Sequence, residues 1–125
     1  MYGSEEIYQA LNISDITTGL DVYKTGKALF IANVLPADFT GFKSINFYMS
    51  TPFNGADSVK AYNYSINCRA KTYNESLTIA KSVVDNINRS SYSDFYITCS
   101  VVPTIPPADD SDVYNTPVEA ILKTR

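Results

Sequence analysis

The strongest constraint on this chain is a change of period inside residues 61–89. In residues 61–71, Tyr62, Tyr64, Ile66, Cys68 and Ala70 alternate with Asn63, Ser65, Asn67, Arg69 and Lys71. Successive side chains leave a pleated strand on opposite sides, so this pattern predicts a strand with one buried and one wet face. Two residues later the period lengthens. Tyr73, Leu77, Ala80, Val84 and Ile87 recur at spacings of three and four, with Val83 beside them, which draws an apolar stripe along a helix. Thr72 followed by Glu75 is a capping box, the pairing that satisfies backbone N–H groups left bare at a helix start. A strand therefore runs into an amphipathic helix through a very short joint, and the other elements must be arranged around that pair.

Taken from the start, Ser4 can cap a short helix with Glu5 and Glu6 in its first turn, where the helix dipole favours acids. Ile7, Tyr8 and Leu11 form its apolar side, and it ends near Asn12. Val22-Tyr23 reads as a small strand followed by a turn at Thr25-Gly26. Residues 28–34 form an apolar run rich in branched and aromatic residues, which favours a strand over a helix, and Pro36 and Gly41 punctuate the loop after it. In residues 44–50, Ile45, Phe47 and Met49 stand opposite Asn46, Tyr48 and Ser50. Residues 51–58, with Pro52, Asn54-Gly55 and Asp57, make a loop that joins this strand to residues 61–71 as an antiparallel hairpin.

Residues 88–94 read as a polar connection after the helix. Phe95, Ile97, Cys99 and Val101 then alternate with Tyr96, Thr98, Ser100 and Val102. A second long loop, 103–112, holds three prolines and three aspartates. Residues 115–123 close the chain as a strand with Val118, Ala120 and Leu122 on one side, and Pro117 argues for an edge position or a strand beginning. The sum is a single α+β domain over residues 1–125. It is expected to hold a mostly antiparallel sheet of four to five strands, one long helix on one face, and a short N-terminal helix.

Function classes fall away quickly. A chain of 125 residues buries roughly two-thirds of its unfolded surface, so no metal or disulfide is needed to hold it together. It contains no histidine, which excludes a Cys/His zinc site and any Ser–His or Cys–His nucleophile pair. Net charge is −3 without a Lys/Arg cluster, unlike a grip built on phosphate neutralisation. A mildly acidic wall can still surround a DNA passage without holding it. No apolar run approaches a membrane span and no secretion signal opens the chain, so a soluble, unsecreted protein is expected. Cys68 and Cys99 fall on the apolar sides of separate strands. They read as buried free thiols, with a disulfide between neighbouring strands as the alternative.

Individual polar groups offer little chemistry. Asp109, Asp110 and Asp112 lie close together, but without the glycine turn and bidentate glutamate of a calcium loop they read as solvated. Glu5 and Glu6 are adjacent and point different ways on a helix, unsuited to paired acid–base work. Arg69 and Lys71 on the polar strand face suit ion pairs in the sheet or across an interface better than phosphate. The ten tyrosines are the more informative set. Tyr62 and Tyr64 belong in the core, whereas Tyr48 and Tyr96 fall on polar strand sides. A wet sheet face with aromatic rings and little charge argues for a subunit contact or the wall of a lumen.

The order of elements resembles the small tail-terminator, or tail-completion, proteins of long-tailed bacteriophages. The resemblance is carried by Ile7-Tyr8-Gln9-Ala10-Leu11 in the opening helix, by Val22-Tyr23, and by Tyr64-Ser65-Ile66-Asn67-Cys68-Arg69-Ala70-Lys71-Thr72-Tyr73-Asn74-Glu75-Ser76. Val113-Tyr114 and the final strand 118–122 continue it. Residues 24–43 depart from the family pattern, and many members carry a bulky aromatic where Arg69 stands. The resemblance implies a non-enzymatic virion protein without cofactor or metal, assembled in the host cytoplasm. Such a protein forms a ring, usually hexameric, on the last ring of tail tube protein at the head-proximal end of the tail. It stops tube growth and offers its other surface to the head–neck connector protein, while DNA passes through the lumen without specific binding. The assembly contacts expected on this basis are Tyr48, Pro52, Asn54, Asp57, Arg69, Tyr96, Pro106, Asp109 and Asp112. A head–tail connector, or stopper, is the nearest alternative. A small α+β ligand-binding domain with its site in the two long loops is the more distant one.

Overall fold

In the computed structural model, residues 4–32, 35–51, 61–92, 95–107 and 112–124 are described. Helices α1 (Ser4–Leu11) and α2 (Ser14–Thr17) are followed by strands β1 (Val22–Tyr23), β2 (Gly26–Lys27), β3 (Leu29–Ile31), β4 (Ser44–Thr51) and β5 (Ala61–Ala70). Helix α3 (Tyr73–Ile87) comes next, and β6 (Ser90–Tyr92), β7 (Phe95–Val101) and β8 (Tyr114–Thr124) complete the order. β1 and β2 form a small ribbon of their own, and the main sheet has six strands in the order β3-β4-β5-β8-β7-β6. It is curled into a half-barrel and mixed, because β3 pairs with β4 in parallel while every other pair is antiparallel.

The change of period becomes β5 and α3 as expected. Thr72 Oγ1 accepts from the Glu75 backbone N–H at 3.2 Å, and the Glu75 carboxylate accepts from the Thr72 hydroxyl at 3.0 Å. A cap of this kind contributes about 1 kcal/mol. The inner face of β5 is fully committed to the core: Tyr62, Tyr64, Ile66, Cys68 and Ala70 are all buried. Across the ladders they meet Val118, Ala120 and Leu122 of β8 and Ile45 and Phe47 of β4. The β4–β5 hairpin is antiparallel as its alternation indicates.

Four expectations need correction. The helix buries Ser76, Ile79, Ala80, Val83 and Ile87, while Tyr73 is exposed and Leu77 and Val84 are half-buried. The stripe is rotated because a serine occupies a core position, its hydroxyl satisfied by Thr116 Oγ1 at 2.9 Å. Second, the connection 88–94 contains the edge strand β6. Third, with β6 and β3, each three residues long, the main sheet exceeds the expected four to five strands, and the amino end carries two short helices instead of one. Fourth, Pro117 sits in a central strand, because β8 lies between β5 and β7. Its carbonyl accepts from Val102 N at 2.8 Å, just past the end of β7. The N and C=O of one strand residue face the same neighbour, so the missing donor falls where that ladder is already ending.

β8 also separates Cys68 on β5 from Cys99 on β7. Two strand spacings put the chains about 10 Å apart, beyond the reach of a disulfide, and both thiols are free.

The stretch that leads from α2 to β4 is fastened by one carboxylate. Asp21 Oδ2 accepts from Phe42 N at 2.7 Å and Lys43 N at 3.0 Å, and Asp21 N donates to the Lys43 carbonyl at 2.8 Å. Burial acts to raise the Asp21 pKa, but the two backbone donors and the Lys43 and Lys27 charges outweigh it and hold the carboxyl below its ordinary value. Gly41 makes room for this clamp. A Cβ there would lie 2.8 Å from Asp21 Oδ2 and 2.9 Å from the Phe39 ring. Gly41→Ala is expected to destabilise the protein by about 1–3 kcal/mol in chemical denaturation. Gly26→Ala, whose Cβ meets nothing within 4 Å, serves as the near-neutral control. Equal effects at both sites would show that the crowding is relieved without cost.

Candidate functional site

α3 packs on β5, β7 and β8 from one side, which leaves the opposite face of the sheet to carry whatever the molecule presents. Because paired residues share a face, the registers define rows of side chains across it. Ser44, Arg69 and Asn115 form one row, and Asn46, Asn67 and Pro117 the next. Tyr48, Ser65, Glu119 and Ser100 follow, then Asn63, Ile121 and Thr98, and finally Lys123 with Tyr96.

The first two rows are knitted by side-chain hydrogen bonds. Arg69 Nε donates to Asn46 Oδ1 at 2.9 Å, Asn46 Nδ2 to the Ala32 carbonyl at 3.1 Å, and Asn115 Nδ2 to Asn67 Oδ1 at 3.1 Å. Ser44, Asn46 and Asn67 are buried despite their polarity. Burial lowers the Arg69 pKa, opposed by the nearby Tyr48 hydroxyl. An ion pair within the sheet was one expectation for Arg69 and Lys71. Arg69 is instead bonded to an amide, and Lys71 Nζ lies 5.1 Å over the Phe42 ring.

Further along, an open recess of about 470 Å³ is lined by Ser50, Asn63, Thr98, Ser100, Glu119 and Ile121 on this face. Glu119 is its one carboxylate. Four residues of β8 separate Glu119 from Asn115 in the Arg69 row, roughly 13 Å at strand rise. Charge is thus sparse and separated, hydroxyls and amides are dense, and Ile121 and Tyr96 are each 37% exposed. Among the described residues no group of three or more His, Cys, Asp or Glu could hold a metal ion. No helix there is long and apolar enough to cross a membrane, a statement that does not extend to strands. Surfaces of this kind recognise other surfaces through many weak polar contacts around a few rings.

The expected contact residues are only partly gathered. Tyr48 and Arg69 are both half-buried near one end of the face. Tyr96 shares the face but stands on β7, with β5 and β8 between it and β4. Pro106 and Asp112 are exposed in the segment that the Ile105–Asn115 bridge fastens to β8. Pro52, Asn54, Asp57 and Asp109 lie outside the described residues, as do most of loop 51–58 and the middle of loop 103–112. Sequence reasoning passed over Glu119 and Ile121. Their signal was present in the alternation against Val118, Ala120 and Leu122.

No protein-family model matches this chain, and no curated protein matches it. Among solved structures, the fold is similar to a chain in the virion of a native gene transfer agent particle, with a TM-score of 0.66. The two share 13% sequence identity over 97% of this chain and 92% of the other. At that identity the likeness establishes a common fold.

Proposed function

We propose that this chain is a structural subunit of a phage-like particle, forming a ring that caps the tail tube, stops its growth and receives the head connector. The observation that carries this reading is the likeness in fold to a virion chain, which extends over nearly the whole of both molecules. It agrees with the tail-terminator resemblance drawn from the order of elements in the sequence. The face opposite α3 supports it as well, since it is rich in amides and hydroxyls, keeps Arg69, Glu119 and Lys123 in separate rows, and carries the exposed Tyr96 ring. On this reading the work is done by complementary surfaces without bond chemistry, and the ring is a hexamer. Loops 51–58 and 103–112 lie at contacts between subunits or between rings, and DNA crosses the lumen without a specific grip.

Size-exclusion chromatography with light scattering tests the ring. A sixfold multiple of the 13.8 kDa protomer is expected, and a stable monomer at every salt concentration would overturn the assembly reading. Particles lacking the protein test the position. Abnormally long, unjoined tails are expected for a terminator. Tails of ordinary length that fail to join heads would assign the chain to the connector instead.

A further inference from the structure

We infer that Arg69 anchors a contact between subunits, receiving a carboxylate from a second copy of this chain on the face opposite α3. The inference rests on the ring reading and names one of its contacts.

Arg69 is a half-buried cation on this face, and among the described residues no acid is paired with it. Its row neighbours are Ser44 and Asn115, and the next row supplies Asn46, Asn67 and Pro117. The row after that holds Tyr48, Ser65, Ser100 and Glu119, whose carboxylate stands four residues along β8 from Asn115, roughly 13 Å away. A guanidinium has five N–H donors in a fixed fork. Among the described residues only the Nε–H has a recorded acceptor, Asn46 Oδ1. Half-buried cations are normally matched by an acid, because desolvation without a partner is unfavourable. A carboxylate or a phosphate has two oxygens that fit the remaining fork, and the carboxylate is the one that a second copy of this chain brings.

The same row contains a second irregularity. Ser44 is fully buried, and among the described residues neither its Oγ nor the buried Asn115 Oδ1 has a hydrogen-bond partner. These two residues flank Arg69 on either side. Both atoms lie beneath the surface, so they add to the unmet polarity around Arg69 without themselves reaching an incoming group, and the half-exposed guanidinium is the part of this row that a partner meets.

The chain itself offers such groups. It has 13 acids against 10 bases. Glu5 of α1, Asp15 of α2 and Asp85 of α3 are exposed, and these helices pack together on the side away from Arg69. A head-to-tail ring joins two different surfaces of the same protomer. A helical side bearing exposed carboxylates and a sheet face whose Arg69 has no acid partner among the described residues are complementary in that sense.

The test uses Arg69→Lys, which keeps the cation and supplies an amine that a carbodiimide joins to a touching carboxylate. Equal amounts of unlabelled and ¹⁵N-labelled protein are assembled, cross-linked, digested and weighed by mass spectrometry. Cross-linked peptides through position 69 are expected in mixed-label form, with an acid from another copy. Only same-label pairs would place the acid within the chain and overturn the inference. So would an assembled protein with no link through position 69. As a second readout, Arg69→Glu is expected to raise the protein concentration needed for assembly at least tenfold, with a cooperative unfolding transition retained. Unchanged assembly of that variant would overturn the Arg69 contact and leave the ring intact, whereas monomeric wild-type protein would overturn both.

Discussion

Phe47→Ala is expected to cost about 3–5 kcal/mol of stability, the range for deleting a buried aromatic ring. Phe47 is completely buried on the inner face of β4. It is paired with Ile66 of β5 on one side and Ile31 of β3 on the other, and its ring centroid is 6.4 Å from that of Tyr64. Removal of the ring therefore opens a cavity where the parallel edge, the hairpin and the central strand meet. Domains of this size are stable by about 5–15 kcal/mol, so the variant should populate unfolded chains measurably or aggregate at physiological temperature. Ile31→Ala provides the contrast. It lies in the same row but is 47% exposed at a short edge strand, and its loss should cost less than about 1 kcal/mol. Urea unfolding with an unchanged slope would report both values. A Phe47→Ala loss no larger than that of Ile31→Ala would mean that the edge collapses to fill the space.

The contrast between these two residues also shows where the fold was legible in sequence. β4, β5, β7, β8 and α3 each run long enough for a period to declare itself, and each was recognisable from alternation or a stripe. β6 has three residues, too few for any period, and β3, equally short, shows only through the branched and aromatic composition of residues 28–34. Their pairing is imposed by what β4 and β7 leave open. The rotation of the α3 stripe had a different cause. Ser76 counts as polar in any pattern, and only the Thr116 hydroxyl across the core reveals that it belongs inside. Pro117 misled for a related reason, since a missing N–H marks an edge only when its direction is unknown. The face opposite α3 was legible as a set of residues. Its partition into a buried amide network at one end and an open recess at the other depends on strand order, which local pattern does not encode. Asp21 was passed over entirely. Its partners, Phe42 and Lys43, are more than twenty residues away, and nothing short-range marks the carboxylate as a clamp.

Alkaline pH is expected to lower the stability of this protein more steeply than that of its cysteine-free counterpart, beginning near pH 9. Burial is the leading cause of the raised pKa at both thiols, with the charge of Cys99 adding to it at Cys68. Cys99 is pushed up from 9.0 to about 11, and Cys68, completely buried, is pushed higher still. The folded chain therefore keeps these protons at pH values where the unfolded chain has released them. Stability is full below about pH 9, where both states hold their thiol protons, and it falls as pH rises because the unfolded state is then the better acid. The Cys99 contribution is exhausted by about pH 11, while that of Cys68 continues to fall beyond it. Each pKa unit corresponds to about 1.4 kcal/mol, so the combined loss by pH 11 is on the order of several kcal/mol, somewhat reduced because Cys99 is only partly buried. A Cys68→Ala/Cys99→Ala variant keeps every other titratable group of the chain. The difference between the two stability curves thus isolates the thiols. The variant starts lower at neutral pH, since the Cys68 sulfur fills core space, but its curve should be flatter between pH 9 and 11. Parallel curves would show that the thiols ionise in the folded state as readily as in the unfolded chain. That result would require water to reach Cys68 beneath α3, contrary to the packing of the inner face.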